Sequence, residues 1–145
     1  PGMNLNDRRL PADFANSIIS NKDIEIFSDG KPTRTFCYIS DAITGYLKAL
    51  LYGEFEVFNI GTEKPEITVA KFANIFATTG REHFNYSGEI VYQKHDDESY
   101  LTDNPNRRCP DISKAREILG YKPKLGVEEG VEKYLRFLSL NSNTK

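Results

Sequence analysis

The 145-residue sequence holds no tryptophan, only two cysteines and two histidines, and no excess of either charge. Cys37 falls in a strand-like run and Cys109 in a polar loop; two isolated thiols make no disulfide framework, and both are expected reduced and structural. Arg107 and Arg108 stand beside Cys109, but no histidine is placed to serve it, and no nucleophile is assigned. His83 and His95 lack metal-ligand spacing, and His95-Asp96-Asp97-Glu98 reads as a solvated acidic loop, so no metal is assigned. Neither a Walker-type sequence nor a glycine triplet between strand and helix occurs, which disfavours a self-sufficient nucleotide-driven enzyme. No stretch approaches the roughly 18 apolar residues of a membrane helix, and the N-terminus lacks a basic-then-apolar pattern; a soluble, cytoplasmic chain is expected. With 19 Lys and Arg against 21 Asp and Glu, extended nucleic-acid binding is not expected.

What is present suits one modest domain. Hydrophobic residues make up 39%, including nine Phe and eight Tyr, enough for a core and too much for disorder. The chain opens Pro1-Gly2-Met3 without an initiator methionine, a turn signal that normally connects two elements, and is read as a piece of a longer chain. Pro11 starts a short amphipathic helix carrying Leu10, Phe14, Ile18 and Ile19 on one face to about Asn21. Ile24 and Ile26 alternate in a strand, Asp29-Gly30 supplies a turn, and a second extended run covers Thr33 to Ile39. Ser40 and Asp41 cap or begin a helix with Ile43, Leu47, Leu50 and Leu51 on one face, ended by Gly53.

Val57-Phe58-Asn59-Ile60 reads as a strand, apolar on both faces apart from Asn59, as in a sheet covered by helices on both sides. Such a strand wants partners that this chain scarcely supplies. Thr68 is an N-cap with Ile67 and Phe72 as a hydrophobic staple, and its helix is expected to stop at Gly80. A strand near Glu89 to Gln93 leads into the polar stretch Lys94 to Asn106, long enough to be mobile or functional. Helices from about Ser113 to Leu119 and Val127 to Leu138 close the chain, before a fraying tail, Asn141 to Lys145. Alternating strands and helices make the fold α/β, or mixed α+β when the chain is taken alone.

Two arginines stand where backbone is constrained. Arg34 follows the Asp29-Gly30 turn inside a strand, and Arg108 lies two residues before Pro110-Asp111. Guanidinium groups so held grip a phosphate in bidentate fashion at low ordering cost; pairing to Asp41 or Asp111 is the alternative.

An ordered series of motifs carries a family resemblance over nearly the whole chain. Pro1-Gly2-Met3, Asn6-Asp7-Arg8-Arg9, the run Phe27-Ser28-Asp29-Gly30 through Ser40-Asp41, Phe58-Asn59-Ile60-Gly61, Arg108 through Ala115, and Leu119-Gly120-Tyr121-Lys122-Pro123 resemble the second half of extended short-chain dehydrogenases/reductases that modify nucleotide sugars. The nearest branch is the UDP-glucuronate decarboxylases, with dTDP-glucose 4,6-dehydratases and sugar 4-epimerases as relatives. Gly2 stands where decarboxylases often carry arginine, and Arg8 where they carry glycine, so a dehydratase or epimerase stays open.

The resemblance implies a C-terminal substrate-binding lobe of a Rossmann-type enzyme over residues 1–140, with 141–145 a flexible tail. It implies that Arg34 and Arg108 clamp the diphosphate of a UDP- or dTDP-sugar and that Asn59 hydrogen-bonds nearby. The strand Ile24 to Ser28 would line base and ribose, with Phe27 replacing a commoner Tyr, and Arg9 would lie close to a sugar carboxylate. NAD would be bound mainly by an N-terminal half absent here, and none is expected in this piece. No Tyr has Lys four residues later, so the family's Tyr-x-x-x-Lys pair, and with it any catalytic residue, is missing. The full enzyme, commonly a homodimer, would oxidise the sugar at C4 to a 4-keto intermediate; this lobe alone would bind weakly and catalyse nothing. A non-catalytic protein-interaction module is the reading of another class.

Overall fold

Pro11 fixes a helical φ where no backbone donor is lost, and α1 (Leu10–Ile19) begins there, burying Ala12, Phe14, Ala15 and Ile18. The computed structural model describes residues 2–5, 7, 9–93 and 105–142. Thr68 caps α3 (Val69–His83) as its spacing requires, its Oγ1 accepting from Lys71 N at 3.0 Å. α1 and α3 pack with α5 (Val127–Ser142) around Phe14, Phe72, Phe76, Val131 and Leu135. Phe36 stacks on Phe72 at 3.6 Å between ring centroids, and Phe76 meets Phe72 edge-on. The parallel pair β1 (Ile24–Ile26) and β4 (Ile90–Tyr92) covers this core with buried Ile24 and Ile26, in the register Ile24 to Ile90.

A second, smaller cluster joins α2 (Ile39–Leu50) to α4 (Ser113–Leu119). Ile112, Ala115 and Tyr121 are buried there, with Phe58, Ile60 and Leu119 packed against them. Gly120, at φ +58°, ends α4 in the left-handed conformation that glycine tolerates. Tyr121 ties the cluster to its surroundings: its Oη donates to Gly61 O at 3.0 Å and lies 3.6 Å from Cys37 Sγ. Both cysteines are free thiols.

A second sheet holds β2 (Thr33–Arg34) between β3 (Ile67–Thr68), antiparallel to it, and β5 (Arg107–Arg108), parallel to it. The fold is mixed α/β, as expected, and the Asp29-Gly30 turn is present, but three local expectations are corrected. The extended run from Thr33 forms a ladder only at Thr33 and Arg34, because Phe36 then turns inward onto Phe72. The Asp29-Gly30 turn joins two sheets; Gly30, at φ +72°, sits 3.0 Å from Ala70 Cβ for any added Cβ, and Gly30 O accepts from Ala70 N. α3 runs through Gly80 to His83, since Gly80 serves close approach: an added Cβ would lie 2.9 Å from Ile18 Cδ1. Val57 to Ile60 is not a strand, because no described strand lies beside it; among the described residues the N–H groups of Phe58, Asn59 and Ile60 find no acceptor.

The apolar stripe of α2 also faces the unexpected way. Asp41 and Gly45 are its buried positions, while Ile43, Leu47, Leu50 and Leu51 are exposed, Leu50 to 77% and Leu51 to 82%. α5 extends to Ser142, into the region expected to fray; residues 143–145, and the polar stretch 94–104 with His95-Asp96-Asp97-Glu98, lie outside the described residues. Among the described residues no helix is long and apolar enough to cross a membrane, and no cluster of ligands for a metal is formed.

Candidate functional site

The middle sheet sorts its charged side chains by pleat. Thr33 is in register with Arg107 and Arg34 with Arg108. Residues in register on neighbouring strands share a face, and the next pair takes the opposite face. Thr33 and Arg107 meet Glu66, whose carboxylate accepts from Thr33 Oγ1 at 2.5 Å and from Arg107 Nε and NH2, each at 2.9 Å. Those bonds, from Arg107 first and then Thr33, hold the Glu66 carboxyl below the usual range. Arg107 is thereby matched, and Arg34 and Arg108 lie on the opposite face of the sheet.

Arg34 is half-buried and anchors NH1 on Thr33 O at 2.7 Å. Asp41 and Asp111, the carboxylates named as alternatives, each accept from backbone N–H groups. Asp41 Oδ2 accepts from the backbone N–H of Lys124 and Leu125 at 2.8 and 2.9 Å, fastening α2 to the approach of α5. Asp111 Oδ1 accepts from Ser113 N at 2.9 Å, a bond that leads in holding its carboxyl low, and Arg108 makes no ion pair with it. Asn59 Nδ2 donates to Asp111 O at 3.0 Å, bringing the 57–60 segment to the chain leaving β5.

The remaining candidates lie elsewhere. Phe27 is half-buried just beyond β1, at the end of the other sheet. Arg9 grips Asp7, donating from Nε to both carboxylate oxygens at 2.8 and 2.9 Å with a further NH2 contact, which holds the Asp7 carboxyl below its usual range. Arg9 lines a cleft of about 660 Å³ between the first residues, the 35–39 run, α3 and α5. Tyr134 of α5 is buried in the wall of that cleft, and its Oη has no hydrogen-bond partner among the described residues. Burial pushes the Tyr134 hydroxyl up, Asp7 adds to the rise and Arg9 opposes it, so the group is neutral and a donor at ordinary pH.

Glu66 and Tyr134 were not legible in the sequence. Glu66 lies in a polar loop with no periodic signal, and Tyr134 sits on the helical stripe of Val127, Val131 and Leu138, where an aromatic reads as core. Only its polar tip on an apolar stripe hinted otherwise.

The family model for GDP-mannose 4,6 dehydratase matches residues 4–134. The chain belongs to that family. The match places the chain in the extended short-chain dehydrogenase/reductase family. Its curated relatives include UDP-glucuronic acid decarboxylase 3 of Arabidopsis thaliana, 33% identical over 90% of this chain and 35% of the relative. Another is UDP-glucuronic acid decarboxylase 1 of Xenopus tropicalis, 28% identical over 94% of this chain and 30% of the relative. The chain thus spans about a third of the length of these relatives. Among solved structures, UDP-glucose 4-epimerase of Thermotoga maritima with UDP-glucose superposes with a TM-score of 0.82 at 26% identity, over 98% of this chain and 43% of that one. UDP-glucuronic acid 4-epimerase of Bacillus cereus, in complex with UDP-glucuronic acid and NAD, gives 0.73 at 26% identity over 90% and 40%.

Proposed function

We propose that this chain is the nucleotide-sugar-binding part of an NAD-dependent enzyme, with UDP-glucuronate decarboxylation through a 4-keto sugar as the first reading. The observation that supports it is the register of Arg34 with Arg108, neighbours on a parallel pair whose side chains share one face. Each suits one phosphate of a diphosphate, and each charge-assisted contact contributes roughly 1.5–3 kcal/mol. The cation on the opposite face, Arg107, is matched by Glu66.

The chain's own chemistry is positioning. Gripping a diphosphate remote from the reacting carbon fixes where the sugar ring lies, which converts binding energy into orientation. Residues fit for NAD are not among those present: there is neither a glycine-rich strand-to-helix turn nor a Tyr-x-x-x-Lys pair, so no chemical step is assigned to this chain. In this reading the cofactor and the proton-transfer groups belong to the rest of a longer enzyme, and that same portion covers the exposed apolar face of α2. A 4,6-dehydratase or 4-epimerase is the second reading, favoured by Gly2 and Arg8, where the decarboxylase pattern has Arg and Gly.

Titration of the isotope-labelled chain with UDP tests the site. Shifts of the Arg34 and Arg108 side-chain signals are expected, and loss of either arginine to Ala should weaken binding roughly tenfold or more. UDP affinity unchanged in the Arg34→Ala, Arg108→Ala double variant would refute the clamp. For the reaction, the complete reading frame containing this chain is incubated with UDP-glucuronate; release of CO₂ separates decarboxylase from epimerase and dehydratase.

A further inference from the structure

Backbone pairing alone holds Arg34 and Arg108 lightly. β2 and β5 are two residues each and run parallel, and among the described residues β5 pairs with β2 alone, at the end of the order β3–β2–β5. Parallel pairs are slightly less stable per residue than antiparallel ones, and a two-residue ladder has few bonds to add up. On either side of it, Thr33 N donates to Asn106 O at 2.8 Å and Thr35 N to Arg108 O at 3.2 Å.

Glu66 supplies a tie of another kind. It stands one residue before β3, across β2 from β5, yet its carboxylate reaches both of the other strands. Oε1 accepts from Thr33 Oγ1 of β2 at 2.5 Å and from Arg107 Nε of β5 at 2.9 Å, so both strands are fastened to one atom. Arg107 NH2 donates to Oε2 at 2.9 Å as well, and this two-nitrogen grip fixes direction as well as distance. Thr33 carries the tie onward, because its carbonyl accepts from Arg34 NH1 at 2.7 Å.

Resting on the diphosphate reading above, we infer that Glu66 is a positioning residue: by bracing β2 against β5 from the opposite face, it sets the spacing at which Arg34 and Arg108 meet two phosphates. Its effect is on geometry more than on global stability. The Glu66 side chain is 27% exposed and that of Arg107 66%, and ion pairs so exposed contribute little to folding. Charge alone works in the other direction, since a carboxylate repels a nearby diphosphate and its deletion also releases the Arg107 cation. Bracing and charge therefore predict opposite signs for the loss of Glu66.

The experiment titrates UDP into the unmodified chain and into Glu66→Ala, Glu66→Gln and Thr33→Val, reading the Arg34 and Arg108 NMR signals, with Tm measured alongside. Glu66→Ala should weaken UDP roughly three- to tenfold with little change in Tm. Glu66→Gln loses the charge but keeps an oxygen for Thr33 and Arg107, and should recover most of that affinity. Thr33→Val cuts one tie without altering charge, and valine suits a strand, so a loss of roughly two- to threefold is expected in an intact fold. That variant decides the matter if Glu66→Ala does not fold. Unchanged or tighter UDP binding in Glu66→Ala and Thr33→Val overturns the inference and leaves the clamp standing, as does a Glu66→Gln loss equal to that of Glu66→Ala. If UDP fails to bind the unmodified chain, the clamp falls and the brace with it.

Discussion

Glu66 shows how one side chain decides which face of a sheet is cationic. It collects Thr33 and Arg107, so the charge of β5 is divided: one arginine satisfied, its neighbour turned to the other side. The folded-state carboxyl of Glu66 is depressed, so its contribution is present above the unfolded glutamate pKa of about 4.3 and is lost as pH falls through the folded value. Acidification below about pH 4 is therefore expected to loosen the β3–β2–β5 sheet, and Glu66→Gln should remove that part of the acid response, read by amide exchange at Thr33 and Arg107. Arg107→Ala should raise the Glu66 pKa toward its ordinary value in a carbon-13 titration. Arg34 and Arg108 could be singled out in the sequence because turns and prolines constrain their backbone. Their register could not, since β5 follows a long polar stretch and its ladder is a long-range contact.

At the scale of elements, helices were legible where caps and stripes were present. The Thr68 cap, the Gly120 stop and the Pro11 start all stand where local chemistry puts them. Gly80 misled because glycine answers two needs, a helix stop and a close approach, and only packing tells them apart. Gly80→Ala sets a propensity gain of about 1 kcal/mol against overpacking of about 1–3 kcal/mol. With Ile18 and Tyr86 within 3.0 Å of the new methyl, crowding should win, lowering Tm without changing helix content by circular dichroism. An unchanged or higher Tm would show that α1 and α3 can part at no cost. α2 gave the opposite lesson: its stripe was readable, but a stripe does not say whether the chain itself supplies the surface to cover it.

Among the described residues the molecule packs as two unequal clusters. The larger gathers α1, α3, α5, β1 and β4; the smaller rests on three buried residues and carries α2 with its apolar side outward. Amide exchange should therefore be slowest in α3 and fastest, outside the loops, in α2 and residues 57–60. Contiguous exposed apolar surface of this kind drives association. Leu47→Glu with Leu50→Lys, both exposed positions, should reduce light scattering of the chain while leaving its melting transition in place. A drop in Tm would mean that α2 already buries this face.

Arg34 and Arg108, the proposed clamp, come from opposite halves of the sequence and meet through the ladder between β2 and β5. A diphosphate that needs both can be held by the folded chain alone, so occupancy and folding are one equilibrium. At a hundredfold excess over Kd, such a ligand adds about 2.7 kcal/mol, against total stabilities of about 5–15 kcal/mol for domains of this size. On the proposed function, the supply of nucleotide sugar would govern how long this protein survives proteolysis.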